Sequence, residues 1–292
     1  MSDPNRSIRL VPAAALLAAL ASFAPEAAAE TSGSTEKSGY HLFHPTPASL
    51  LRDLSTDRPD LTESPYTVDA GHFQAEVEVA SYVRDENTAR RLEDLGFLNL
   101  NAKLGLLPDL DIQVGAGYAR HVSLSTFPEL DEDASGFTDL AVRLKWNLWG
   151  NDSGGTAMAL MPFIELPTGS TDFTNGSLEG GLIVPLAVSL PGDTGLGLMV
   201  EADWIEDSDA SGSHAEWLTT ATVGHDVAGP FGAFVEFAAA QRPRAEGNWV
   251  GTFDIGLTCG PTPNLQMDAG VLLGVSEDAD GATFFAGLSL RR

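Results

Sequence analysis

The feature that most constrains the fold is an alternation of apolar and polar residues with a period of two, which recurs from Gly71 to the end of the chain. The clearest stretches cover residues 73–79, 98–104, 110–116, 140–148, 249–258 and 265–271. Successive side chains of a β-strand point to opposite faces, so each stretch predicts a strand with one apolar and one polar face. Helical spacing fits none of them.

The connections between these stretches alternate between short and long. Short ones lie at residues 107–109, 150–154, 191–195, 228–230 and 260–264, and longer polar ones lie at 84–94, 123–135, 167–176, 206–213, 243–247 and 276–281. Transmembrane barrels of bacterial outer membranes have an even number of strands, with short turns on the periplasmic side. We therefore predict an all-β fold, an antiparallel transmembrane outer-membrane β-barrel of about twelve strands. A secreted β-sandwich also alternates and stays open as the alternative.

The chain divides into three predicted parts. Residues 1–29 resemble a signal peptide, with Arg6 and Arg9 before an apolar run and small residues at 27–29 for cleavage. Residues 30–70 are rich in Ser, Thr, Gly and Pro and predict an irregular segment, either a tether or a plug. Residues 71–292 form the predicted barrel. Export followed by barrel insertion places the protein in the cell outer membrane.

Composition excludes several classes of function. The chain has 41 Asp and Glu against 16 Lys and Arg, a net charge of −25, so it lacks the basic patches of a nucleic-acid binder. The single cysteine, Cys259, excludes an intramolecular disulfide framework. The acidic runs at 129–133, 206–209 and 277–280 do not have the spacing of a calcium loop, so we predict no metal site and no cofactor. No histidine is paired with a plausible nucleophile, so we predict no catalytic residues and no enzyme activity.

The polar faces of the strands would point into a single lumen. Charges of both signs inside a closed barrel either neutralise one another or form a constriction that selects solutes. The candidate lumen residues on the strands are Gln74, Glu76, Glu78, Lys103, Asp111, Asp139, Arg143, Lys145, Glu236, Asp254, Gln266 and Asp268. The register also predicts which residues face lipid, among them Val142, Leu144, Phe253 and Ile255.

A further candidate precedes the first predicted strand. The stretch 55–65 carries charges of both signs and two prolines, and Arg58 is its only basic residue. Guanidinium groups form strong bidentate bonds with carboxylates, and the predicted lumen offers Glu76, Glu78 and Asp268 near the first strand. We hypothesise that Arg58 anchors this segment inside the barrel as a small plug or constriction. A periplasmic tether with a solvated Arg58 is the alternative.

The stretch STDRPDLTESPYTVDAGHFQAEVEVASYVRD, residues 55–85, resembles the opening signature of the outer-membrane family named for the MetA-pathway of phenol degradation. The resemblance continues, in the same order, through residues 136–140, 166–170, 232–236, 263–268 and 287–291. It implies a barrel and a passive channel or transporter for small organic, often aromatic, compounds. The expected partners are these solutes, outer-membrane lipid and lipopolysaccharide, and the barrel assembly machinery. A closed structural or adhesive surface barrel is the alternative function.

Overall fold

The computed structural model describes residues 37–86, 90–125, 132–207, 212–241 and 249–292. The predicted signal peptide lies outside the described residues, as do parts of the predicted acidic loops at 129–133 and 206–209. The described chain is almost entirely strand, and none of its helices is long and apolar enough to cross a membrane.

The strand segments follow one another along the chain as the alternation predicts. They are β1 (Phe73–Glu86), β2 (Arg90–Leu107), β3 (Leu110–Ser125), β4 (Glu132–Phe137), β5 (Leu140–Trp149), β6 (Thr156–Leu166), β7 (Glu179–Leu190), β8 (Thr194–Glu206), β9 (Ser213–Ala228), β10 (Phe231–Gln241), β11 (Val250–Thr262), β12 (Leu265–Gly274) and β13 (Ala282–Arg291).

These segments form one closed antiparallel barrel. Strand β1 pairs with β2 on one side and with β13 on the other, which closes the ring. Strand β3 pairs with β4 through residues 118–123 and with β5 through residues 110–115, so β4 and β5 together occupy one position. The barrel therefore has twelve strands, which confirms the predicted fold class.

The barrel has short connections at one end, such as 108–109, 191–193, 229–230 and 263–264, and longer ones at the other. One predicted boundary is wrong. The charged stretch 84–94 was expected to be a loop, but β1 runs to Glu86 and β2 begins at Arg90, with Asp85 opposite Leu92. Charged residues do not end these strands, because their backbones stay paired as far as Glu86 and Arg91.

Apolar side chains cover the outside of the barrel and polar side chains fill the inside. Leu144, Phe253 and Ile255 are 40%, 39% and 46% exposed. The inward Lys145 and Asp254, their neighbours along the strands, are 1% and 2% exposed. This inverted distribution is characteristic of barrels that span a membrane, and its register matches the predicted lipid-facing positions.

The chain before β1 enters the barrel instead of packing outside it. Residues 37–72 are irregular apart from a short 3₁₀ turn at Ala48–Leu50. They enter and leave at the short-turn end, where Gly71 donates from its backbone N–H to the Gly105 carbonyl at 2.8 Å. Gly71 has φ 76°, and a Cβ there would lie 2.6 Å from the Pro45 Cβ. We call residues 52–69, which fold up between these ends, the lumen segment.

Candidate solute pathway in the barrel lumen

Asp57 of the lumen segment is held by two buried lysines from different strands. Lys103 on β2 donates to one carboxylate oxygen and Lys145 on β5 donates to the other at 2.5 Å. The side chains of Lys103, Lys145 and Asp57 are 2%, 1% and 6% exposed. The Ser64 amide donates to Asp57 Oδ1 at 3.0 Å and closes the segment on itself.

Burial opposes ionisation of Asp57, but the two ammonium groups outweigh it and hold the pKa of its carboxyl well below the ordinary range. The backbone N–H of Asp57 also donates to both oxygens of Glu76, at 3.1 Å each. Glu76 in turn accepts from Lys103. The Asp57 carboxylate therefore joins two strands to the segment, and sequence reasoning missed it. Its one available signal was an acidic residue surrounded by prolines directly before Arg58.

Arg58 lies inside the barrel, between strands β12 and β1. Its Nη2 donates to Asp268 Oδ1 at 2.7 Å, and its Nη1 lies 3.5 Å from Glu78 Oε2. A Cβ atom at Gly287 on the intervening strand β13 would clash with the guanidinium group, so glycine makes room for it. The third candidate carboxylate, Glu76, bonds instead to Lys103 and the Asp57 amide.

The innermost turn of the segment binds β9 and β10. The backbone N–H groups of Leu61 and Thr62 donate to the two oxygens of Glu236 at 2.8 and 2.9 Å. The Thr62 hydroxyl lies 2.6 Å from the Thr220 hydroxyl and also bonds to Glu236. Asp254 is opposite Glu236 in the β10–β11 register and is almost fully buried beside it.

Two further residues of this turn carry carboxyl groups. Burial, with Glu236 close by, raises the pKa of Asp60 to about 7. Glu63 accepts from Arg143 Nη1 at 2.8 Å, and its backbone N–H points at Met199 Sδ at 3.3 Å. Met199 belongs to an apolar cluster on the inner wall together with Met161 and Ile183. The turn thus contacts charged groups on one side and an apolar wall on the other.

The base of the segment is fixed by Asp69, which is 1% exposed. Asp69 accepts from Lys37 Nζ at 3.1 Å and from the Arg52 amide at 2.9 Å, and Arg52 Nη2 lies 3.1 Å away. Arg291, on the last strand, donates to the Arg52 carbonyl at 2.7 Å. Sequence reasoning did not find this cluster, since its members come from both ends of the chain.

The other predicted lumen residues also face inward. Gln74 donates to the Ser55 carbonyl at 2.8 Å, and Gln266 donates to the Thr56 hydroxyl at 3.0 Å. Asp139 differs, because it lies between β4 and β5 and bonds to the Gly169 amide at 2.7 Å. It holds the 167–178 connection and does not bond to the lumen segment in any of the contacts described for it.

The lumen keeps open space on both sides of the segment. The upper cavity, of about 990 Å³, lies towards the long-loop end and is lined by Ser81, Asp94, Asn99, Arg120, Asp172 and Phe173. The middle cavity, of about 400 Å³, is lined by Arg58, Glu63, Glu78, Asp139, Arg143 and Glu165. The lower cavity, of about 730 Å³, is lined by Thr62, Tyr66, Gly195, Gly224, Phe234 and Gln266.

Residues 56–291 match the family model described as MetA-pathway of phenol degradation. The chain belongs to this family. The match begins within the lumen segment and runs to the last strand, so the family sequence pattern covers the segment's inner turn as well as the barrel.

The barrel of this family member is similar to those of solved outer-membrane proteins. An outer membrane channel from Pseudomonas putida F1 aligns with a TM-score of 0.54 at 15% identity, over 82% of this chain and 99% of that chain. The NanC porin aligns with a TM-score of 0.47 at 12% identity, over 73% and 98% of the two chains. The CymD monoaromatic hydrocarbon channel aligns with a TM-score of 0.43 at 8% identity, over 76% of this chain and 87% of that chain. A search of curated proteins found no match.

Within the described ranges of this family member, no three His, Cys, Asp or Glu side chains are grouped so that they could hold a metal ion. The buried carboxylates bond instead to lysines of the wall, to Arg58, and to backbone N–H groups of the lumen segment. The interior is therefore organised around a peptide segment.

Proposed function

We propose that this protein is a passive outer-membrane channel for small organic compounds, in which the lumen segment forms the constriction. The observation that carries the proposal is the space on both sides of the segment. The upper and lower cavities, of about 990 and 730 Å³, are of the size that binds small organic molecules. A barrel used only as a scaffold has no need of such space.

The substrate class follows from the family and from the polarity of the lumen. The family description refers to phenol degradation, which suggests small aromatic compounds. The outer membrane channel from Pseudomonas putida F1 supports a channel by its fold alone.

The location follows from the apolar outer wall, which fits the outer membrane with its lipid and lipopolysaccharide, after export and insertion by the barrel assembly machinery.

The proposed selective region is the middle cavity. Arg58, Glu78, Arg143 and Glu63 line it and present charges of both signs at the level where the segment narrows the lumen. Opposed charges around a narrow passage select solutes by size and polarity. Gln74, Glu76 and Lys103 lie deeper and bond directly to the segment, so in this proposal they hold the constriction in place.

The experiment compares ion conductance of the purified protein in planar bilayers with that of Arg58→Ala. Removing the guanidinium leaves Asp268 and Glu78 without their shared partner and loosens the segment, so conductance should rise. Arg292→Ala is the matched control, because Arg292 is exposed at the barrel end. Heat-modifiable migration on gels verifies that each variant is assembled.

The alternative, a closed structural barrel, predicts a different result. In that case neither the wild-type protein nor Arg58→Ala conducts, although both are assembled. Uptake of arabinose into proteoliposomes, measured in parallel, extends the test to an uncharged solute that crosses lipid slowly.

A further inference from the structure

Asp57 and the residues that follow the turn attach the lumen segment to the β1–β5 side of the barrel interior. On the inner faces of β1–β5, Glu76, Lys103 and Lys145 bond to Asp57. Below them Asp111 accepts from the Val68 amide at 2.9 Å, and Asn147 donates to the Pro65 carbonyl at 2.9 Å. All five of these wall residues are at most 4% exposed. At these positions the segment is bonded directly to the wall.

The opposite side is built of small uncharged residues and is open. Between the segment and β7–β10 lies the lower cavity, whose barrel wall includes Ala187, Ser189, Gly195, Gly197, Thr222 and Gly224. A Cβ atom placed at Gly195 or at Gly224 would have no other heavy atom within 4 Å. His225 and Asp226 line the cavity where β9 ends at the short-turn side. The segment therefore stands away from this wall at Gly195 and Gly224 and meets it at Gly197, where a Cβ atom would lie 3.1 Å from Thr62 Cγ2.

The inner end of this cavity is closed by the turn of the segment. Thr62 bonds to Thr220 on β9 and to Glu236 on β10, and the Glu63 amide contacts Met199 on β8. These contacts are separate from those of Asp57 and Asp69, which attach the rest of the segment to β2, β5 and the base. The Glu63 carboxylate pairs with Arg143 on β5, so the turn can leave Glu236 and Thr220 while the ion pairs of the segment stay formed.

We propose that the lower cavity is the chamber through which small uncharged solutes pass and that residues 61–63 are its gate. The gate opens when the turn leaves Glu236 and Thr220, with the segment still bound to β1–β5. Solutes then pass along the Gly195–Gly224 wall. Past the displaced turn they reach the middle cavity, since Glu63 of the turn lines both cavities. This inference rests on the proposed channel function and adds the route and the moving part.

The test uses two engineered disulfides in a Cys259→Ala background. Thr62→Cys with Thr220→Cys joins the turn to β9, where the native hydroxyl oxygens are 2.6 Å apart. Thr67→Cys with Asn151→Cys is the matched control, because these side chains lie 2.7 Å apart at the base of the segment. Uptake of arabinose, an uncharged solute that crosses lipid slowly, into proteoliposomes and bilayer conductance are measured before and after reduction.

We expect the oxidised turn lock to lower uptake by about tenfold or more and reduction to restore it, while the base lock leaves uptake unchanged. Full uptake with the oxidised turn lock would overturn the proposed route. Loss of uptake with the base lock as well would overturn the gate, because the whole segment would then have to move. If the reduced and wild-type proteins conduct nothing, the proposed channel function itself fails, and this inference fails with it.

A second pair of variants tests the chamber without a disulfide. Gly224→Phe fills the open space in the lower cavity, and Gly155→Phe makes the same change on an exposed turn where a Cβ also has no neighbours. We expect Gly224→Phe alone to reduce uptake. Equal uptake by the two assembled variants would show that solutes do not use this side.

Discussion

Replacing Asp57 with Asn should release the lumen segment from its wall. Lys103 and Lys145 are 2% and 1% exposed, so water screens little of their attraction to the carboxylate. Removing one partner of a buried ion pair costs about 3–5 kcal/mol, because the other charge stays buried and unpaired. Lys103 keeps Glu76 as a partner, so the lower end of this range, about 3 kcal/mol, applies here. At about 1.4 kcal/mol per factor of ten, the docked-to-released ratio should fall about a hundredfold.

Amide hydrogen exchange measures this change directly, because opening of the segment exposes N–H groups that are otherwise bonded. The informative amides are those of Asp57, Leu61, Thr62 and Val68, which donate to wall carboxylates. Asp53→Asn is the matched control, since Asp53 is exposed in the same segment. Exchange in Asp57→Asn within about threefold of the control would refute the reasoning that this carboxylate holds the segment.

Two further predictions concern the wall and the pH. Ile255→Arg, on the lipid-facing side near mid-strand, should lower the unfolding free energy in lipid vesicles by about 2–4 kcal/mol. Asp254→Asn, on the inner side, should assemble normally. The reverse outcome would show that the assigned register is off by one residue. Docking of the segment should weaken as pH rises from about 4 to 7, because docked Asp60, beside Glu236 and Asp254, keeps a proton that the released carboxyl loses near its ordinary pKa. The protection factor of the Thr62 amide, which removes the intrinsic rise of exchange with pH, should fall across this range in the wild type. It should stay level in Asp60→Asn.

The sequence predicts the barrel well because apolar and polar residues alternate as the side chains alternate between the outer wall and the lumen. Phe253, Asp254 and Ile255 alternate between lipid and lumen in the structure as in the pattern. The loop predicted at 84–94 was wrong, because a charged stretch does not by itself end a strand whose backbone stays paired. The pattern also does not show where pairing breaks, as it does between β4 and β5 beside Asp139.

The candidate site was predictable in its residue types but not in its pairings. The excess of carboxylates around a single basic residue indicated that Arg58 would contact acids, and it contacts Glu78 and Asp268. The roles of Asp57, Glu63 and Asp69 depend on how far the irregular segment enters the barrel. No periodicity records that depth, because the segment has no repeating structure. Its path is set by tertiary contacts with strands far along the chain.

The position of Arg58 ties the segment to the seam of the barrel. Its two carboxylate partners lie on β12 and β1, and β13 runs between them with Gly287 beneath the guanidinium group. The pairing of β13 with β1 is the one that joins the last strand to the first. Glu78 and Asp268 therefore come within reach of one guanidinium only after the ring has closed. The ion pairs of Arg58 join β12 to β1 across β13 and oppose separation of the sheet along this line.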